Sequence, residues 1–179
     1  MISCIHSLAA CRVTVFTAII GASGGALFAA LYSQFALGLE PCVLCLYQRI
    51  PFLVAIVLGL CGLWARNDTS AVKILLALCA VAFLVNSGLA TYHTGVELKW
   101  WASAVEGCAV PDFNADPSLL EKMLTSPAAS CSDIAWKDPY FGFTMANYNI
   151  VYNFVLFLGC LIALGATRKS VRITPPQSS

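Results

Sequence analysis

Four separate stretches of about 20 apolar residues dominate this 179-residue chain, and nothing else restricts its fold as strongly. Lipid offers no water to backbone N–H and C=O groups, so a spanning segment must satisfy them internally as a helix. The stretches predict spans at about 13–32, 46–64, 72–92 and 146–166, and hence an all-α membrane protein, a four-helix bundle in one domain. With 59% hydrophobic and 11% charged residues, the composition excludes a soluble globular enzyme, in which about 25% are charged. The net charge of +1 argues against disorder, and 10 Lys and Arg against 9 Asp and Glu give no surface for nucleic acid. The first stretch could be a cleaved signal peptide after Arg12, but such apolar regions are usually about 7–15 residues and this one is longer.

Basic residues near span ends collect on the cytoplasmic side. Arg12, Arg66, Lys73, Arg168, Lys169 and Arg172 fall on one face, opposed only by Asp68. That face holds both termini and the turn between the second and third spans. The other face holds a short segment, 33–45, and a long one, 93–145, in which Glu97, Glu106, Asp112, Asp116, Glu121, Asp133 and Asp138 outweigh Lys99, Lys122 and Lys137. Both are expected outside the cytoplasm.

This orientation sorts the nine cysteines. Cys4, Cys11, Cys61, Cys79 and Cys160 lie in the cytoplasmic tail or the apolar spans, where a thiol packs as a small hydrophobe and reacts little. Cys42, Cys45, Cys108 and Cys131 lie in the outer segments, two in each, on the side where disulfides persist. Cys42 and Cys45 form a CxxC that opens the second span, and a helix N-terminus favours a thiolate. Arg49 follows Cys45 by four positions and Cys42 by seven, a spacing that puts all three on one helical face. There a cation can hold a thiolate or polarise a carbonyl, unless Arg49 simply snorkels to the interface.

Cys108 and Cys131 enclose a loop 23 positions long. As a structural staple, a bridge there is worth about 3 kcal/mol. Four outer thiolates could instead close a tetrahedral zinc site, although the second pair lacks CxxC spacing. Within the loop, Asp116 and Pro117 can start a short helix carrying Leu119, Leu120, Met123 and Leu124, suited to the membrane interface or to packing beneath the loop. There is no CxxCH haem motif and no Gly-rich dinucleotide motif, and the only histidines are His6 and His93. His93, at the outer end of the third span, could bind a ligand, but a lone histidine there is more often simply an amphipathic interfacial residue. Two dithiol pairs on the oxidising face, one of them at membrane level, suit thiol–disulfide exchange ending on an acceptor that enters from the bilayer, of which a quinone is the obvious candidate.

The segment Leu39-Glu40-Pro41-Cys42-Val43-Leu44-Cys45-Leu46-Tyr47-Gln48-Arg49 closely resembles the signature of the bacterial disulfide bond formation protein B (DsbB) family. The spans, the second outer cysteine pair and the Cys131-x4-Trp136 segment extend the resemblance over nearly the whole chain. It implies an inner-membrane, quinone-dependent thiol oxidase that reoxidises a periplasmic, DsbA-like thioredoxin-fold protein and passes the electrons to ubiquinone or menaquinone. By the same resemblance, the reduced partner attacks Cys108, which is bridged to Cys131. Cys131 hands electrons to Cys42 and Cys45, Cys45 faces the quinone, and Arg49 hydrogen-bonds a quinone oxygen. The chain departs from the family around Met145-Ala146-Asn147-Tyr148-Asn149, where many members carry proline and tryptophan. A resident metal is not expected. The rival readings are a zinc-binding or disulfide-stapled structural membrane protein and, within redox chemistry, a vitamin K epoxide reductase type, whose CxxC lies late in the chain.

Overall fold

The computed structural model describes residues 2–105, 108 and 130–173, with side chains for 12–105, 108 and 130–167. The helix expected after Asp116 lies outside the described residues. The chain forms α1 (Ile2–Phe35), α2 (Val43–Tyr47), α3 (Arg49–Trp64), α4 (Thr69–Glu97) and α5 (Met145–Ile173). Four segments are long and apolar enough to cross a membrane: Arg12–Phe35, Val43–Trp64, Thr69–Glu97 and Met145–Thr167. Among the described residues there is no strand, only an isolated antiparallel bridge between Lys137 and Thr144.

Caps and breaks fix where the helices begin. The Asp68 carboxylate accepts from the backbone N–H groups of Ser70 and Ala71 at 2.8 and 3.3 Å and starts α4. Arg12 ties α1 to that turn by donating to the Arg66 carbonyl and the Thr69 hydroxyl, both at 2.9 Å. Thr144 and Asn147 exchange backbone and side-chain hydrogen bonds at the start of α5, a capping arrangement that satisfies the first-turn donors. The second span is interrupted at Gln48, between α2 and α3. Pro51 explains the break: it has no N–H to bond the carbonyl of Tyr47, and it is tolerated in the first turn of α3.

The largest helix contact is between α4 and α5; α3 packs on α4, and α1 on α3. Phe16, Ile19, Phe52, Ala55, Val72, Leu76, Cys79, Ala80, Phe83 and Cys160 form the main core. Cys79 and Cys160 thus pack as apolar residues, whereas Cys61 is exposed. Outward-facing Leu53, Val57, Leu60, Ile74 and Val81 are also exposed, as lipid-facing positions must be. The helices approach closely where side chains are missing. A Cβ on Gly62 would stand 2.3 Å from the Phe16 ring, and one on Gly59 would stand 2.7 Å from Ile20. Because Phe16 is wholly buried, Gly62→Ala is expected to cost about 1–3 kcal/mol by overpacking. Thermal unfolding in detergent checks this, and an unchanged Tm would show that the ring yields freely.

Several helix limits differ from the spans that the sequence suggests, two of them at the outer ends near the cysteines. α4 continues past Tyr92 to Glu97 because its backbone ladder does not stop where hydropathy falls, and His93 and Glu97 find buried partners. The second span opens at Val43 rather than Leu46, with Cys42 as its cap.

Candidate active site

Cys42 ends the extended segment after Pro41, and its sulfur accepts the backbone N–H of Cys45 at 3.3 Å, closing the first turn of α2. The two sulfurs lie 2.8 Å apart. His93 reaches Cys42 from α4, its Nε2 at 3.5 Å from the sulfur. Hydrogen bonding with Cys45, together with the hydrogen bond and the charge of His93, lowers the Cys42 thiol to about 4, against burial, which opposes ionisation. The Cys45 backbone N–H and His93 thus both favour a thiolate at Cys42.

Cys108 and Cys131 are joined as a disulfide with a Cα–Cα distance of 5.0 Å. They pack with Cys42, Leu44 and Val96 in one buried cluster, against which Cys45, Tyr92 and Val105 rest. The outer loop is pinned over the dithiol by the Tyr92 hydroxyl, which accepts the Ala104 N–H at 2.8 Å, and by Trp101, stacked on Tyr92. Trp101 seats where only glycine leaves room, since a Cβ on Gly95 would stand 2.0 Å from its indole. With Cys108 and Cys131 bridged, the four outer cysteines do not form a four-thiolate zinc site; of these four only Cys42 and Cys45 are free thiols.

Beside the dithiol, α1, the 39–41 segment, α3 and α5 enclose a cavity of about 490 Å³, within the range of small-molecule sites. Gly25, Ala26, Ala29 and Ala30 of α1 leave this space, and Phe52, Tyr148 and Tyr152 line it opposite. Its polar edge is Glu40, Cys45, Gln48, Arg49, His93 and Asn149. Arg49 is held by donating to Gln34 at 2.9 Å. The fold thus unites all four outer cysteines and sets Arg49 on the cavity with Cys45. It does not keep Arg49 on one face with Cys42, because the break at Gln48 separates them and Cys42 does not line the cavity.

The chain matches the family model for disulfide bond formation protein DsbB over residues 12–164. It belongs to the DsbB family. Curated relatives named disulfide bond formation protein B are similar over most of their length. The one from Psychromonas ingrahamii is 31% identical over 145 residues, covering 79% of this chain and 76% of the relative. The one from Pasteurella multocida is 32% identical over 154 residues, 83% and 82% of the two chains. The one from Histophilus somni is 33% identical over 156 residues, 80% of each. No solved structure matched. This DsbB-family chain is thus a membrane protein of disulfide bond formation.

Several residues of the site were passed over in the sequence. His93 is not an interfacial residue facing lipid and water; it is buried between Cys42, Gln48 and Glu97, the carboxylate lying 3.8 Å from Nε2. Asn149 reaches Gln48 from α5, and Asn153 and Asn86 continue inward. The available signal was the amide side chains inside apolar spans, where polar groups are costly and tend to be functional.

Proposed function

We propose that this chain is a quinone-dependent thiol oxidase that reoxidises a periplasmic DsbA-like protein. The observation that carries the reading is the placement of one dithiol between two different exits. Cys42 packs with the Cys108–Cys131 disulfide, and Cys45 opens onto the cavity that holds Arg49. A reduced partner's thiolate attacks Cys108, and Cys131 leaves as a thiolate. A second partner thiolate then releases the oxidised partner, so two electrons enter the outer pair. Cys131 passes them to the Cys42–Cys45 disulfide by exchange, restoring the outer bridge. Oxidation of the inner dithiol to the disulfide gives two electrons and two protons, which convert quinone to quinol. Arg49 hydrogen-bonds a quinone oxygen, and the cavity volume and apolar walls suit a ring entering from lipid.

The charge distribution supports an inner-membrane protein with both termini in the cytoplasm and the redox loops in the periplasm, since Arg12, Arg66 and Lys73 gather at one end of the bundle. The test is anaerobic quinone reduction by purified protein supplied with a reduced DsbA-like partner, using ubiquinone or menaquinone. Stoichiometric oxidation of the partner and reduction of quinone is expected, and Cys108→Ser should abolish even the first equivalent. Full turnover by Cys108→Ser would overturn the proposed entry point.

A further inference from the structure

From the middle of the bundle to the dithiol runs an unbroken chain of side-chain hydrogen bonds. Asn86 Nδ2 donates to Asn153 Oδ1 at 3.1 Å, and Asn153 Nδ2 donates to Asn149 Oδ1 at 2.7 Å. Asn149 Nδ2 donates to Gln48 Oε1, Gln48 Nε2 faces His93 Nδ1 at 3.0 Å, and His93 Nε2 faces the Cys42 sulfur at 3.5 Å. Three helical segments contribute, α4, α5 and the turn at Gln48.

The direction of the chain is fixed at one point. Asn153 Nδ2 also lies 2.8 Å from the backbone carbonyl of Asn149, which can only accept, so the NH2 end of Asn153 must face Asn149. Each amide has one accepting and one donating end, and the rest follows. Asn149 presents its oxygen to Asn153 and its NH2 to Gln48; Gln48 presents its oxygen to Asn149 and its NH2 to His93. A neutral imidazole whose Nδ1 accepts carries its proton on Nε2. At the inner end, the buried Oδ1 of Asn86 has no partner among the described residues, as expected where a one-way chain starts.

We propose that Asn153, Asn149 and Gln48 are positioning residues that hold the His93 proton on Nε2, aimed at the Cys42 sulfur. Amides aligned head to tail reinforce one another in a medium of low polarity, so the donor facing Cys42 is strengthened as well as oriented. The chain favours Cys42 as thiolate in the reduced state, at the sulfur that packs with the Cys108–Cys131 bridge. Cys42 is faced by the Cys45 thiol from α2 and by His93 from α4, with Glu97 competing for the same N–H; the Cys108–Cys131 bridge does not titrate. The proposal rests on the thiol-oxidase reading only for its effect on turnover. The tautomer and the acidity of Cys42 are measurable without quinone or partner.

The sequence holds only two histidines, so ¹⁵N-histidine NMR of the full chain with His6→Ala, the inner dithiol reduced, reads His93 alone. The expected spectrum has Nε2 protonated and Nδ1 bare at neutral pH; a proton on Nδ1 in this chain would overturn the proposal. In Asn149→Leu, Gln48 is free to turn its oxygen toward Nδ1, and the tautomers are expected to mix or invert. Alkylation of Cys42, located by mass spectrometry, is then expected to slow about fivefold at pH 4 and to recover as pH rises. Gln48→Met, which keeps the side-chain length without hydrogen bonds, should act in the same direction, and Asn149→Leu added to His93→Ala should change nothing more. Both variants keeping the parent tautomer and alkylation profile would sink the idea. Loss of quinone reduction by the unmodified chain with this tautomer intact would instead count against the thiol-oxidase reading alone.

Discussion

Cys45→Ser is expected to give one partner oxidation per protein molecule and then stop. The outer disulfide can still accept two electrons from a reduced partner, because Cys108 and Cys131 do not depend on Cys45 for their bond. The next step cannot follow, since a hydroxyl forms no disulfide with Cys42 and the electrons find no route to the cavity that Cys45 lines. Rapid mixing with reduced partner should therefore show a burst of one equivalent followed by no measurable quinone reduction. Sustained turnover would mean that electrons leave the outer pair by another path. Burst and steady state separate the two cysteine pairs in one trace.

Arg49→Ala should act at the other exit. Arg49, Glu40 and His93 are the basic and carboxylate side chains lining the cavity, and of these Arg49 is the permanent cation. A hydrogen bond from a charged donor is worth about 1.5–3 kcal/mol. Losing it should raise the apparent KM for quinone about 10-fold to 150-fold. The KM for the partner should stay constant, because Arg49 lies on the cavity side of the Gln48 break and is not in the cluster around Cys108. Arg49→Lys should fall between, keeping the charge but losing the planar fork held by Gln34. An unchanged quinone KM in Arg49→Ala would remove Arg49 from the quinone site.

The four spans, the CxxC and the second outer pair are all visible in the sequence, and for local reasons. Span length follows from bilayer thickness, and the external cysteines follow from the charge count at the span ends. Even the break at Gln48 has a sequence cause in Pro51, although the cysteine-to-arginine spacing by itself suits an unbroken helix. His93, by contrast, reads as an interfacial residue because hydropathy ends the third span at Tyr92. Its actual surroundings come from the turn at Gln48, from Asn149 on α5 and from Cys42 before α2. No window of sequence joins those positions.

By itself, then, the sequence determined that the chain crosses a membrane as helices, which cysteines can form disulfides and which motif carries the redox chemistry. Each of these depends on local composition or on spacing within one helix. Tertiary structure decided which sulfur of the dithiol His93 reaches, which one meets the cavity and how the amides of separate helices line up behind His93. Those outcomes depend on angstrom-scale approach between segments up to 101 positions apart, as in the bond from Asn149 to Gln48. Packing of α4 against α5 sets that approach, and a hydrophobic pattern records only that the two helices are buried against something.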